Sequence, residues 1–333
     1  MNLKNYTATE PEFWNGRIDD IDDIDSYRMH QIIKLLNLKD LRSLKIDSSK
    51  LNICFLGYCC DEGIKRNLGR IGAKEGPDGI RKKFANLPVS FDDKTEIYDG
   101  GNLLCLEGNM EEVQEQLGIA IEKVLDNHFF PIVLGGSHDV AYGHFNGIFD
   151  HLKKQTGERP KIGIINFDAH LDLRPYDKQS SSGTMFSQIA DKCSKENQKF
   201  DYLCLGIQSS GNTKSLFKKA NSLGVKYVFA NEFTESNHDS ISAKIESFIN
   251  DNDYIYLTLC CDVFNSASAP GVSALQPLGL NPNHVLKFTK EILNSKKVIS
   301  FDIAEVSPPL DHDRRTAKLA AIIINKVINY LSE

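Results

Sequence analysis

The sequence predicts an α/β fold, a mostly parallel sheet with helices on both faces, built as one large domain behind an N-terminal extension. Three observations lead there. From about residue 51, short apolar runs rich in Ile, Val, Leu, Phe and Tyr alternate with longer helix-period segments, which is the signature of βαβ units. The chain carries no internal repeat, low-complexity tract or Pro/Gly-rich linker that would divide it. Its 333 residues, 41% hydrophobic and 25% charged, have the length and balance of a globular protein with a large core.

Residues 1–50 are polar and acidic and read as an extension that packs on the main domain. Within it, 27–38 has the pattern of one short amphipathic helix. The main domain spans 51–333. Its strands are expected at 52–58, 129–134, 161–167, 202–206, 225–229, 254–261 and 297–303. Each is a short run rich in apolar residues. Its helices are expected at 110–127, 140–154, 213–223, 239–251, 282–293 and 314–331, where the polar and apolar positions follow the helical period.

Composition narrows the function. The formal net charge is −6 and no basic stripe appears, so nucleic acid is not an expected partner. The longest apolar run near the C-terminus, 319–324, is too short for a bilayer. The first residues are acidic (Asp19, Asp20, Asp22, Asp23) and show no secretory n-region. Eight cysteines without any C-x-x-C suit reduced thiols, hence a cytoplasmic protein with no membrane association.

In open parallel sheets ligands bind beyond the carboxyl ends of the strands, and three of those ends are unusual here. After the first, Leu134 runs into Gly135-Gly136-Ser137-His138. Such a turn allows close backbone approach, although a histidine there is often an ordinary loop residue. The second is Asn166-Phe167-Asp168-Ala169-His170-Leu171-Asp172. With extended backbone, Asp168, His170 and Asp172 would project to one side, and such a cluster after a buried strand needs a cation or a solvent channel to offset repulsion and desolvation, the other reading being a solvated acidic loop. Carboxylate with imidazole suits a borderline-hard divalent ion such as manganese. The third is Thr258-Leu259-Cys260-Cys261-Asp262, where Cys260 and Asp262 share a face by the same period. Buried cysteines there could equally be inert, and Asp262 could cap a turn.

Together these segments resemble the arginase (ureohydrolase) superfamily, whose hallmarks are G-G-x-H, D-A-H-x-D and S-x-D-x-D followed by P-G. Here they stand as Gly135-Gly136-Ser137-His138, Asp168 to Asp172, and Thr258 to Asp262 with Pro270-Gly271. Asp302-Ile303-Ala304-Glu305 with Pro308 resembles the D-x-x-E segment, and Gly76-Pro77-Asp78-Gly79-Ile80-Arg81 the N-terminal G-P-x-x-I-R. The resemblance covers about residues 50–330. It implies a three-layer α/β/α sandwich and two manganese ions that activate a water. In the family pattern His138, Asp168 and Asp172 hold one ion and Asp168, His170 and Asp262 the other.

Asp61-Glu62-Gly63, Asp172-Leu173-Arg174 and Ser182-Gly183-Thr184-Met185-Phe186 are similar to the formimidoylglutamase branch, as is Ala269 to Ala274. That implies hydrolysis of N-formimidoyl-L-glutamate to L-glutamate and formamide, a step in histidine degradation. Asp172 then relays a proton and Glu305 pairs with the amidinium. Arg174 is expected to bind a substrate carboxylate, with Ser182, Gly183 and Thr184 supplying loop donors. Phe186 replaces a histidine of arginases. Family members are often trimers or hexamers, so a homo-oligomer is expected.

One position departs from the pattern: Cys260 stands where the family has an aspartate bridging both metals. Three readings stand. Cys260 ligates as thiolate and shifts metal preference away from manganese, or only one metal is held firmly, or catalysis is lost and the fold kept for binding. A guanidino-directed ureohydrolase of agmatinase type is the alternative enzyme.

Overall fold

A computed structural model describes residues 3–43, 46–157 and 160–333. In chain order the strands are β1 Tyr6–Thr7, β2 Lys34–Leu35, β3 Leu51–Cys59, β4 Thr95–Leu104 and β5 Phe130–Leu134. They continue with β6 Ile162–Phe167, β7 Asp201–Ile207, β8 Lys226–Phe229, β9 Tyr254–Cys260 and β10 Val298–Ala304. The helices are α1 Met29–Ile32, α2 Glu62–Arg66, α3 Gly76–Phe84, α4 Met110–Asp126, α5 Val140–Thr156, α6 Met185–Lys195, α7 Lys214–Ser222, α8 His238–Asn250, α9 Pro282–Asn294 and α10 Arg315–Ser332. Among the described residues all strands join one sheet in the order β1-β4-β3-β5-β10-β9-β6-β7-β8, with β2 also on β4. Every pairing is parallel except β1 with β4.

The alternation of side chains divides the core between the two faces of this sheet. On one face Ile132 and Leu134 of β5, Ile165 and Phe167 of β6, and Ile255, Leu257 and Leu259 of β9 pack under α3, α8, α9 and α10. On the other, Val133, Ile164 and Tyr256 pack under α4, α5, α6 and α7. The result is the three-layer α/β/α sandwich expected from the sequence. The central strands are apolar on both sides because both sides are covered. No helix among the described residues is long and apolar enough to cross a membrane.

Two local expectations differ from the structure. Residues 27–38 do not form one helix. The helical part is a single turn, Met29–Ile32, after which Ile33 is extended and Lys34–Leu35 pairs with Tyr98–Asp99. The free edge of β4 offers backbone partners that a short helix, costly to nucleate, does not match. The second difference is β4 itself, a ten-residue strand that local pattern hides behind Asp99-Gly100-Gly101-Asn102. Asp99 is fully buried there because Arg81, also fully buried, holds it through Nε–Oδ2 at 2.8 Å and a second nitrogen on Oδ1 at 2.9 Å. Arg81 also donates to Asn102 Oδ1 at 2.6 Å. The Trp14 indole N–H adds a bond to Asp99 Oδ2 at 2.7 Å, so the N-terminal segment is anchored on this ion pair. The short α2, α3 and α6 also went unread in the sequence. Gly63 in α2 and Gly76 in α3 face buried side chain or backbone rather than solvent, which blurs the helical period of those two.

Candidate metal centre

Four neighbouring parallel strands, β5, β10, β9 and β6, deliver their carboxyl ends to one edge of the sheet. His138 follows β5, Glu305 follows β10, Cys260 ends β9, and Asp168 follows β6. The turn after β5 needs its glycines. A Cβ on Gly136 would sit 2.0 Å from the Cys60 carbonyl oxygen, so only glycine lets the chain cross β3 there. Ser137 N–H then donates to that same carbonyl at 2.8 Å. Beneath it the buried Asp139 accepts from Tyr58 Oη, Ser137 Oγ and Gln114 Nε2, which fixes the turn.

After β6 the backbone leaves the extended form. Asp168 Oδ1 accepts the His170 N–H at 2.7 Å, and Asn212 Oδ1 accepts the Leu171 N–H at 2.9 Å. Asp172 lies at φ 48° and Glu305 at φ 67°. The strained turns aim both carboxylates inward, where an extended chain would send them elsewhere. Asp262 sits in a one-turn helix, Cys261–Val263, directly after β9. Glu305 Oε1 accepts the backbone N–H of His138 at 3.0 Å.

The ligand atoms fall into two groups sharing Asp168: His138, Asp168 and Cys260, and Asp168, His170 and Asp262. His138 Nδ1 lies 2.9 Å from Asp168 Oδ2 and 3.5 Å from Asp172 Oδ2. His170 Nδ1 lies 3.1 Å from Asp262 Oδ2 and 3.5 Å from Asp168 Oδ1. Yet His138 Nδ1 and Asp262 Oδ1, both buried, make no hydrogen bond of acceptable geometry. Buried polar atoms are rarely left so, and a cation in each of the two ligand groups would satisfy them. The residues therefore fit a metal pair.

The charges are strongly perturbed. Burial works against a charged ring at His138, but Asp168 and Asp172 outweigh it and hold the ring well above its ordinary value. His170 is likewise raised against its burial, by Asp262 and Asp168. Asp168 is buried yet held low by the two histidines. Burial and the neighbouring Asp168 push Asp172 up to about 6. Burial and Asp262 push Glu305 up to about 8. Cys260 is raised well above the usual thiol range by burial, then by Asp168 and Asp262. Such a concentration of displaced groups marks a working site more often than a structural one.

The cluster opens into a cleft of about 200 Å3 lined by His138, His170, Asp172, Cys260, Asp262 and Glu305 on its floor. Arg174 and Ser182 line its wall. Gly183 and Thr184 do not. The Gly183 N–H is turned to Ser181 Oγ, its carbonyl takes the Arg174 N–H, and the Thr184 hydroxyl is engaged by Ser181 and Gln188. Their expected donors are committed inside the loop. Phe186 is fully buried, its ring against His138 at 5.8 Å and stacked on Tyr202 at 4.3 Å, so it backs a ligand instead of facing the cleft. Asn67 and Gly69, missed in the sequence, complete the lining with Ser273 and Ala274, whose segment resembled the family but carried no assigned role. Asn67 Oδ1 accepts from Arg174 at 3.0 Å and its amide reaches Ser182 Oγ at 3.4 Å. An asparagine in a short turn carries no signal of this, since its partners are over 100 residues away.

The sequence profile of the arginase family matches residues 51–329. The chain is 50% identical over 330 residues to a formimidoylglutamase of Clostridium tetani, covering 99% of this chain and 97% of the relative. It is 42% identical over 316 residues to a formimidoylglutamase of Fusobacterium nucleatum, covering 95% and 96%. Among solved structures, formimidoylglutamase of Bacillus subtilis superposes with TM-score 0.78 at 19% identity, over 95% of this chain and 94% of the other. Formiminoglutamase of Trypanosoma cruzi, solved with Mn2+, gives TM-score 0.75 at 22% identity, over 89% and 98%.

Proposed function

The chain belongs to the arginase family, and from that membership we propose that it is an amidine hydrolase that cleaves N-formimidoyl-L-glutamate. A water oxygen adds to the formimidoyl carbon, the bond from that carbon to the glutamate nitrogen breaks, and L-glutamate and formamide leave. What carries the reading is a cleft with an anionic floor and a cationic wall, in a chain related end to end to formimidoylglutamases. A substrate with an amidinium at one end and two carboxylates at the other matches that polarity.

In this reading His138, Asp168, Asp172 and Cys260 hold one divalent cation and Asp168, His170 and Asp262 the other, with manganese the family expectation. When bound, the pair supplies a hydroxide near neutral pH by lowering the pKa of water. Glu305 pairs with the amidinium and holds the carbon over the ligand cluster. Its backbone-fixed carboxylate cannot swing away, because the His138 N–H holds Oε1. Asp172, beside the position of the nucleophile, takes its proton and returns it to the departing nitrogen. Arg174, steadied by Asn67, receives a carboxylate, and Ser182 adds a hydroxyl donor. All eight cysteines are free, which suits a cytoplasmic enzyme. A homo-oligomer remains the family expectation.

The test is direct. The protein loaded with manganese is incubated with N-formimidoyl-L-glutamate, and formamide and glutamate are assayed in equal amounts. Absence of turnover with manganese, cobalt, iron and zinc alike would sink the proposal.

A further inference from the structure

Behind the ligand cluster runs a buried polar chain that the hydrolysis does not use. Asp302 of β10 lies directly across from Thr258 of β9, and both are fully buried. The Asp302 carboxylate takes three donors. The Thr258 hydroxyl donates to Oδ1 at 2.6 Å, His144 Nδ1 of α5 meets Oδ2 at 2.7 Å, and the Tyr256 hydroxyl donates to Oδ2 as well. On its far side His144 Nε2 meets Ser300 Oγ at 2.5 Å. His144, Tyr256 and Ser300 are fully buried too. So much buried polarity is costly unless fully paired, and here every member of the set has partners.

The consequence reaches His138. Its Nε2 lies 3.0 Å from Thr258 Oγ1. Threonine has one hydroxyl proton, and the carboxylate of Asp302 claims it. Thr258 can then only accept from His138, so the ring proton sits on Nε2. That leaves Nδ1 as the lone-pair nitrogen, and Nδ1 is the atom aimed at Asp168 and Asp172 without a hydrogen bond of its own. A histidine holding the other tautomer would present a proton to the cluster where a ligand lone pair is needed.

We propose that Asp302, acting through the Thr258 hydroxyl, is a positioning residue that sets the His138 tautomer and so prepares Nδ1 for metal ligation. The inference rests on the reading of the cluster as a metal site. It concerns residues outside that cluster. Replacing Asp302 by asparagine would offer an N–H to Thr258, let the hydroxyl turn to donate to Nε2, and move the ring proton to Nδ1.

The experiment compares wild type with Asp302→Asn, Thr258→Val and Thr258→Ser. Manganese affinity is measured by calorimetry, and ring tautomers by 15N shifts of histidine-labelled, zinc-loaded and metal-free protein. Expected is a ~10–100-fold loss of affinity in Asp302→Asn and Thr258→Val, the range found when support behind a histidine ligand is removed. Thr258→Ser, which keeps the hydroxyl, stays close to wild type. In zinc-loaded protein the His138 resonance shows Nε2–H with Nδ1 unprotonated in wild type and Thr258→Ser, and loses that signature in Asp302→Asn. Should Asp302→Asn not fold, the contrast between Thr258→Val and Thr258→Ser decides alone. Wild-type affinity in both Asp302→Asn and Thr258→Val, or equal losses in Thr258→Val and Thr258→Ser, overturns the inference. If wild type itself takes up no metal, the reading of the cluster fails first, and the inference falls with it.

Discussion

Cys260 ends β9 in the ligand group of His138 and Asp168, and without a dication its burial and its acidic neighbours keep the thiol protonated. A bound dication reverses that balance, because a metal stabilises thiolate far more than the two carboxylates oppose it. A thiolate is nevertheless a soft ligand for manganese. Cys260→Asp should therefore raise manganese occupancy toward two ions per chain and lower that of zinc, as measured by elemental analysis after dialysis against each metal. Glu305 tests the other end of the chemistry. Its replacement by glutamine keeps the shape and the bond to the His138 N–H but removes the charge that faces the amidinium. Activity on N-formimidoyl-L-glutamate should fall ~100-fold or more, with metal content unchanged. For Arg174→Ala the expected change is different in kind. A lost charged hydrogen bond of ~1.5–3 kcal/mol appears as a KM raised ~10–100-fold, with kcat nearly kept, because the carboxylate is held alike in ground and transition states.

Elements matter here through one buried ion pair. Arg81 of α3 and Asp99 of β4 tie the helix layer to the sheet, and Trp14 of the extension closes over them against Phe55 and Phe84. Removing one partner strands a buried charge, which costs about 3–5 kcal/mol. Arg81→Ala should lose about that much in urea unfolding. Trp14 is the sole tryptophan, so its fluorescence follows both global unfolding and release of the N-terminal segment. Two separate fluorescence transitions in the variant, where wild type shows one, would mean that the extension detaches first. An unchanged midpoint would mean that Asp99 finds other partners.

Across the whole molecule, metal uptake and pH are linked with a definite sign. His138 and His170 are raised, and so are Glu305, to about 8, and Asp172, to about 6. For each raised group the metal-free protein keeps its full contribution to stability below the unfolded pKa and loses it as pH rises through the folded value. Asp168, held low, works the opposite way but only at acid pH. The metal-free form should thus lose stability from the ordinary carboxylate range upward, Asp172's share gone by about pH 6 and Glu305's by about pH 8. Metal ligation needs the protons on His138, His170 and Asp172 gone, so affinity rises with pH as well. The increase in Tm on adding manganese should be larger at about pH 8 than at about pH 6, and proton release should be visible in calorimetry in buffers of different ionisation enthalpy. A Tm increase independent of pH would contradict the assignment of the histidines as ligands.

Much of this protein is local, and local features are legible in sequence. Gly135-Gly136 before His138, and Asp168, His170 and Asp172 in one short run, announce the cluster because each ligand set follows a strand that must be apolar. The alternation of strands and helices announces the sandwich for the same reason: a sheet covered on both faces has no polar side to show. What the tertiary structure alone decided is set by partners distant in the chain. Asp99-Gly100-Gly101-Asn102 becomes a strand only because Arg81 neutralises it. Residues after Met29–Ile32 abandon the helix for the edge of β4. Gly183 and Thr184 are consumed by their own loop, while Asn67, distant in the chain, reaches Arg174. The grouping of Cys260 with His138 and Asp168, and the chain from Asp302 through Thr258 to His138, depend on the register of β9 against β10. The residue types at each strand end determined that a cation should sit there. Which atoms face it, and which protons they carry, follows from strand register, which no single segment contains.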